Sequence, residues 1–258
     1  MLNPKEKCAV FLDIDGTLLH DSFIIPQRNI DAINAARAKG HAVFINTGRS
    51  WANIPPVLME QIEKFDGIIA GSGAMVTIGG KTEFRASMSN ETLKKFVEYA
   101  FAHREFWYIF EGLKNVYILP NGNRKHADFQ ILLQKTEDYL LMCDDEIQVV
   151  AMGKTVSEDF KELFKDELTV FQFDTYADIV VKGLNKAVGI EKVLELTGIK
   201  RENTIAIGDS NNDYDMLTYA GIGVAMANSQ QSILNIADYV TASNAECGVA
   251  AAIEKFLL

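Results

Sequence analysis

In the stretch Cys8-Ala9-Val10-Phe11-Leu12-Asp13-Ile14-Asp15-Gly16-Thr17, a short apolar run ends in two carboxylates and a glycine. A run this short, followed by polar turn residues, suits a buried strand. Strand geometry would send Asp13 and Asp15 to one side, and Gly16 lets the chain turn sharply. Two carboxylates held together repel, so the arrangement calls for a cation or a proton between them. Alone, the same residues could be an ordinary Asp-Gly turn after a strand. The meaning lies in what recurs downstream.

Outward from this point, strand and helix alternate. Pro26 opens a helical pattern with Ile30, Ile33 and Ala36 on one face and Gly40 past its end. Ala42 to Ile45 reads as a second strand, followed by the polar turn Asn46-Thr47-Gly48-Arg49. Residues 50–65 read as helical with a break at Pro55-Pro56, and Gly67 to Ala70 as a third strand. This rhythm implies right-handed crossovers and a parallel sheet. Ala74 to Ile78 and Thr82 to Ala86 then flank Gly79-Gly80, a two-residue hairpin signal.

The next hundred residues follow another plan. A helix from Ser89 or Asn90 to His103 precedes strand-like runs at Phe106 to Phe110 and Val116 to Leu119, then a helical stretch through Met142. Ile147 to Met152, a helix near Ser157 to Phe164, and strands near Leu168 to Phe173 and Ala177 to Val181 complete it. Paired strands with few crossovers indicate a separate α+β domain. From Lys186 to Thr197 a helix stops at Gly198, and alternation resumes to the end of the sequence. The expected fold is therefore α/β, a Rossmann-like doubly wound parallel sheet core over 1–84 and 182–258 with an inserted α+β cap over 85–181.

Four points in this pattern fall at the C-terminal ends of core strands, where open α/β sheets build their sites. They are Asp13 with Asp15, then Thr47-Gly48-Arg49, then Lys186 opening a helix, then Gly208-Asp209-Ser210-Asn211-Asn212-Asp213. Each has a plain reading alone. Thr47 could be a helix cap, Lys186 a solvated lysine, and the last loop a capping cluster. Four acidic or amide groups in that loop, Asp209, Asn211, Asn212 and Asp213, are more than a cap needs.

Composition narrows the class. At 258 residues, and about 150 residues per domain, one large domain or a large-plus-small pair fits. Lys and Arg number 25 against 35 Asp and Glu, a net charge of −10 that disfavours a general nucleic-acid binder. No run approaches the ~18 apolar residues of a membrane span, and the polar start does not resemble a signal peptide. Cys8, Cys143 and Cys247 are odd in number and widely spaced, as in reduced thiols of a cytoplasmic protein. His20, His41, His103 and His126 show no metal-ligand spacing.

Taken in order, Asp-x-Asp-Gly-Thr, a Thr, a Lys and Gly-Asp-x-x-Asn-Asp resemble the motifs of the haloacid dehalogenase-like hydrolases. The runs Gly223 to Asn228, Ala237 to Thr241 and Gly248-Val249-Ala250 resemble its Cof-type branch, whose cap is inserted between the second and third motifs. The resemblance implies a phosphatase in which Asp13 is the nucleophile and Asp15 the general acid and base. It implies Mg2+ held by the Asp13 and Asp209 carboxylates and the Asp15 carbonyl, with Asp213 orienting from behind. Thr47, Gly48, Lys186 and Asn212 would bind the phosphate oxygens. The expected substrate is a small phosphorylated metabolite such as a sugar phosphate, with neither nucleic acid nor membrane as partner, and the protein a monomer or homodimer. The same resemblance leaves a phosphosugar mutase as a rival, and receiver-like phospho-acceptors use similar residues. Ser72-Gly73-Ala74 departs from the usual Asn-Gly-Ala, and Ala187, Ala227 and Cys247 also depart from the branch's habits. The insert would set specificity, with Arg124-Lys125-His126 its most cationic cluster, while Phe106-Trp107-Tyr108 reads as sheet packing.

Overall fold

The computed structural model describes residues 3–20, 24–121 and 127–258. In chain order the first elements are β1 (Ala9–Leu12), α1 (Gln27–Ala38), β2 (Ala42–Asn46), α2 (Pro56–Met59), β3 (Gly67–Ala70), β4 (Met75–Ile78) and β5 (Lys81–Arg85). Then come α3 (Asn90–Ala102), β6 (Tyr108–Glu111), β7 (Val116–Leu119), β8 (Gln130–Leu132), β9 (Val149–Gly153), α4 (Glu158–Leu163), β10 (Leu168–Gln172) and β11 (Tyr176–Val181). The chain closes with α5 (Lys186–Thr197), β12 (Thr204–Gly208), α6 (Tyr214–Tyr219), β13 (Ile222–Ala225), α7 (Gln231–Leu234), β14 (Tyr239–Val240) and α8 (Gly248–Leu257). Two compact units result: residues 1–47, 55–84 and 185–258, and residues 48–54 with 85–184.

The first unit holds an eight-stranded sheet in the order β14-β13-β12-β1-β2-β3-β4-β5. Every pairing from β14 through β3 is parallel, and β4 runs antiparallel to β3. The winding reverses at β1, which lies between β2 and β12, so its carboxyl end is the topological switch point of the sheet. β1, β2, β3 and β12 are buried at every residue. That explains why they read as continuous apolar runs rather than alternating ones. Phe11 and Phe44 stack at 5.3 Å within this core. Local signals set the helix ends: the Asn185 side chain accepts the Val188 N–H at the start of α5, and Gly198 ends it at φ +70.

The second unit is a six-stranded sheet, β10-β11-β9-β6-β7-β8, antiparallel except for β7 with β8. Its core gathers aromatic side chains around Phe96 of α3, whose ring lies 5.2–6.3 Å from those of Tyr108, Phe110, Phe160 and Phe164. Phe106 packs against that cluster, whereas Trp107 lies over Gly153, where a side chain would overlap the indole. The helical stretch expected through Met142 is not one helix. β8 pairs with β7 there, and Thr136–Leu141 forms a 3-10 turn. Arg124, Lys125 and His126 lie outside the described residues.

Residues 50–65 also break up more than expected, into α2 and 3-10 turns at Trp51–Asn53 and Ile62–Lys64. The segment 48–54 packs with the second sheet. Buried Glu111 accepts hydrogen bonds from the Ser50 N–H at 3.2 Å and Asn53 Nδ2 at 2.9 Å, and the Gly112 carbonyl accepts one from the Ala52 N–H. Burial raises the Glu111 pKa, against the pull of the Ser50 N–H. No helix among the described residues is long and apolar enough to cross a membrane.

Candidate active site

β1 ends at Leu12, so Asp13 and Asp15 stand beyond the strand and its alternation does not reach Asp15. Asp13 continues the β1–β12 pairing through its N–H to the Ile207 carbonyl at 3.0 Å, and it is 4% exposed. Asp15 is exposed. The turn between them and Thr17 closes through the Leu18 N–H to the Asp13 carbonyl, with Gly16 at φ +85. A Cβ on Gly16 would stand 2.8 Å from Asp209 Cγ, so both the backbone sign and the space require glycine there.

Asp209 follows β12, the strand beside β1, and accepts a hydrogen bond from Thr17 Oγ1 at 3.0 Å. Asp213 closes the same loop from behind. One of its oxygens accepts the N–H groups of Asp209 at 2.9 Å and Ser210 at 3.0 Å. Its other oxygen lies 2.5 Å from Lys186 Nζ. Lys186, the first residue of α5, also reaches Asp13 Oδ1 at 2.5 Å and is fully buried. Carboxylate oxygens of Asp13, Asp209 and Asp213 all fall within 4.8 Å of one another.

Electrostatics follow from that crowding. Burial pushes the Asp13 carboxyl well above the ordinary range, Lys186 pulls it down, and Asp213 and Asp209 push it up again. Asp209 is pushed up to about 7, by burial first and by Asp213 next. Burial opposes the charge on Lys186, yet Asp13 and Asp213 together hold its pKa above the usual lysine value. Three carboxylates against one ammonium leave a local excess of negative charge in a buried place. A hard cation with oxygen ligands suits such a set, and the side-chain-free Gly16 leaves the approach to Asp209 open.

The remaining sequence candidates divide. Thr47 is buried at the end of β2, its N–H donating to the Ile69 carbonyl and its carbonyl accepting from Ser72. Asn212 is half-buried in the 3-10 turn Asn211–Asp213, its Oδ1 accepting from Ser210 Oγ at 2.8 Å. Gly48 begins the segment that packs with the second unit. Ser72 adopts φ +51 while almost fully buried, a conformation that asparagine or glycine takes more readily than serine.

Three residues take part through contacts that spacing does not show, Thr17 among them although it closes the quoted Asp-x-Asp-Gly-Thr motif. Thr17 positions Asp209. Asn228 Nδ2 donates to the Gly16 carbonyl at 2.9 Å and its Oδ1 accepts the Asn244 N–H, tying the Asp13–Thr17 turn to the loop after β13. Asn46 is buried beside Lys186. A polar residue ending the otherwise apolar strand at 42–46 was the available signal for Asn46. Asn228 stands out in the sequence only as the end of the run Gly223 to Asn228, with no contact foretold there.

A family model described as haloacid dehalogenase-like hydrolase matches residues 10–253. Among curated relatives, the Bacillus subtilis 5-amino-6-(5-phospho-D-ribitylamino)uracil phosphatases YitU and YcsE are 28% and 30% identical. Each match covers 96% of this chain, with 96% of YitU and 95% of YcsE. A solved structure described as the HAD subclass IIB sugar phosphatase BT4131 superposes with a TM-score of 0.83 at 30% identity, covering 97% of this chain and 99% of that one. The chain belongs to the haloacid dehalogenase-like hydrolases, in their Cof-type branch, and is a phosphatase.

Proposed function

We propose that the protein hydrolyses small phosphomonoesters, of the sugar-phosphate or phosphorylated-polyol kind, through a phosphoryl group carried on Asp13. The observation that supports this most is the buried Asp13–Lys186–Asp213 arrangement at the switch point, with Asp209 alongside. Two relatives named for a phosphoribitylamino substrate and one solved sugar phosphatase support the substrate class.

Lys186 holds Asp13 Oδ1, which leaves the other oxygen to attack phosphorus. The bond from phosphorus to the leaving oxygen breaks with its electron pair, and the Asp15 carboxyl supplies the proton. Asp15 then takes a proton from the water that attacks phosphorus, and the Asp13–phosphorus bond breaks to release phosphate. Thr47, Gly48, Lys186 and Asn212 bind the oxygens on which charge grows. Mg2+, bound by the Asp13 and Asp209 carboxylates and the Asp15 carbonyl, would supply charge neutralisation at those oxygens. Asp213 keeps Lys186 and the loop backbone in place. The residues 85–181 discriminate among leaving groups in this reading, because the motif residues all serve the phosphoryl end.

Quenching turnover and reducing with borohydride tests the covalent step. A phosphorylated Asp13 becomes homoserine, visible as a mass change on the peptide that contains residue 13. Steady turnover of a phosphomonoester with unaltered Asp13 under those conditions would overturn the proposal.

A further inference from the structure

We propose that Asn46 is a positioning residue for Lys186, one that fixes the spacing between the lysine and Thr47. The inference rests on the reading above, in which both bind the phosphoryl group. Asn46 ends β2, is fully buried, and follows four apolar residues. Its Nδ2 donates to the Lys186 backbone carbonyl at 3.0 Å and lies 3.5 Å from Met216 Sδ on α6. Its Oδ1 is buried without a partner.

The orientation of the amide follows from its neighbour. A carbonyl oxygen accepts only, so the side chain must turn its NH2 toward Lys186 and leave its own oxygen stranded. A stranded buried acceptor is destabilising, and a leucine would fill the place without it. The asparagine therefore does something that an apolar residue cannot. It ties the strand whose next residue is Thr47 to the first residue of α5.

That tie falls in the first turn of α5. The first N–H groups of a helix have no partner within the helix, and the lysine stem has four rotatable carbons. The Asn185 cap fixes the turn through Val188, and the Asn46 amide fixes the carbonyl of residue 186 itself. Nζ must then sit 2.5 Å from both Asp13 and Asp213, a placement that a small shift of the Lys186 backbone would spoil.

The test is a double-mutant cycle with Asn46→Leu and Lys186→Met, each alone and both together, with Mg2+ present. The readouts are kcat/KM on p-nitrophenyl phosphate and the affinity for inorganic phosphate by calorimetry. Misplacing the lysine by a fraction of an ångström to an ångström predicts a loss of about 10- to 100-fold for Asn46→Leu in the wild-type background. In the Lys186→Met background the same change should cost less than about twofold, because the group it positions is gone. The Mg2+ concentration for half activation should stay unchanged. Met216→Leu, which removes the sulfur contact but keeps the carbonyl bond, should also cost less than about twofold. Equal losses in both backgrounds, no loss in the wild-type background, or a Met216→Leu loss matching that of Asn46→Leu would overturn the role. Asn46→Ala in the same two backgrounds serves if leucine does not fit. Near-normal activity of Lys186→Met alone would instead refute the phosphate-binding reading of the lysine.

Discussion

Replacing Lys186 with methionine should destabilise the protein by an amount that depends on pH. Nζ is fully buried, 2.5 Å from both Asp13 and Asp213. Methionine fills a similar volume without charge, so the main loss is the cation shared by two buried carboxylates. Breaking a buried ion pair from one side costs about 3–5 kcal/mol. Proton uptake by one carboxyl offers an alternative. From an unfolded aspartate pKa of about 3.9, it costs about 4 kcal/mol at pH 7 and about 1.5 kcal/mol at pH 5. The loss follows the less costly route, so it is about 3–4 kcal/mol at pH 7 and shrinks by about 1.4 kcal/mol per pH unit below that. Burial already raises the Asp13 pKa, and removing Lys186, which pulls it down, raises it further. A carboxyl raised above its unfolded value is best tolerated below that value, and its stability is lost as pH rises through the folded pKa. At about 2–4 °C per kcal/mol for a chain this long, the variant should melt roughly 6–16 °C below wild type at pH 7. At pH 5 the gap should narrow to about 3–6 °C. Calorimetric melts of both proteins in excess chelator would show it. An equal gap at the two pH values refutes Lys186 as the counter-ion of these carboxylates.

Mg2+ at 100 times its dissociation constant should stabilise the wild type by about 2.7 kcal/mol, read as a rise in melting temperature, and Asp209→Asn should abolish that rise. Gly16→Ala should lose metal binding while staying folded, since the left-handed backbone costs about 1–3 kcal/mol and the methyl displaces Asp209; calorimetric Mg2+ titration checks it. Asp13→Asn should end turnover, and Asp15→Asn should lower kcat by about 10²–10⁴-fold while Mg2+ binding persists through the backbone carbonyl. Phe96→Ala should cost about 3–5 kcal/mol by opening the aromatic cluster of the second unit; an unfolding curve unchanged from wild type would contradict that packing.

The clustering of Asp13, Asp209, Asp213 and Lys186 was legible because a doubly wound parallel sheet places its loops at one end, so motifs distant in sequence converge once the strands are found. Asp13 and Asp209 each follow a strand, and Lys186 opens a helix whose ends carry local signals, Asn185 and Gly198. The segment 127–142 misled because Phe129, Leu132, Leu133, Leu140 and Leu141 recur at helical spacing. Pairing with β7 overrides that spacing at 130–132, a tertiary decision that no local window contains. The attachment of 48–54 to the second unit was equally invisible, since it depends on the burial of Glu111 some sixty positions later. In the sequence Asn46 reads as the start of a turn, because an amide after Ile45 looks like solvent-facing chain; its partner, the carbonyl of residue 186, carries no sequence signature.

The central strand of the large sheet has a consequence for how the chain is made. β1 needs β12 at its side, with Ala9 opposite Thr204, yet β12 leaves the ribosome almost two hundred residues later. At about 5–20 residues per second, that is an interval of roughly 10–40 s. Meanwhile β1, β2 and β3, apolar on both faces, have one long edge unpaired, a state prone to association with other chains. The six strands of the smaller sheet all lie between residues 108 and 181, so that sheet can close on its own as soon as it emerges. Synthesis of this enzyme therefore includes a window in which the segment between the motifs is ready before the sheet that carries them. Cellular yield should depend more on chaperone capacity during that window than on the stability of the finished protein.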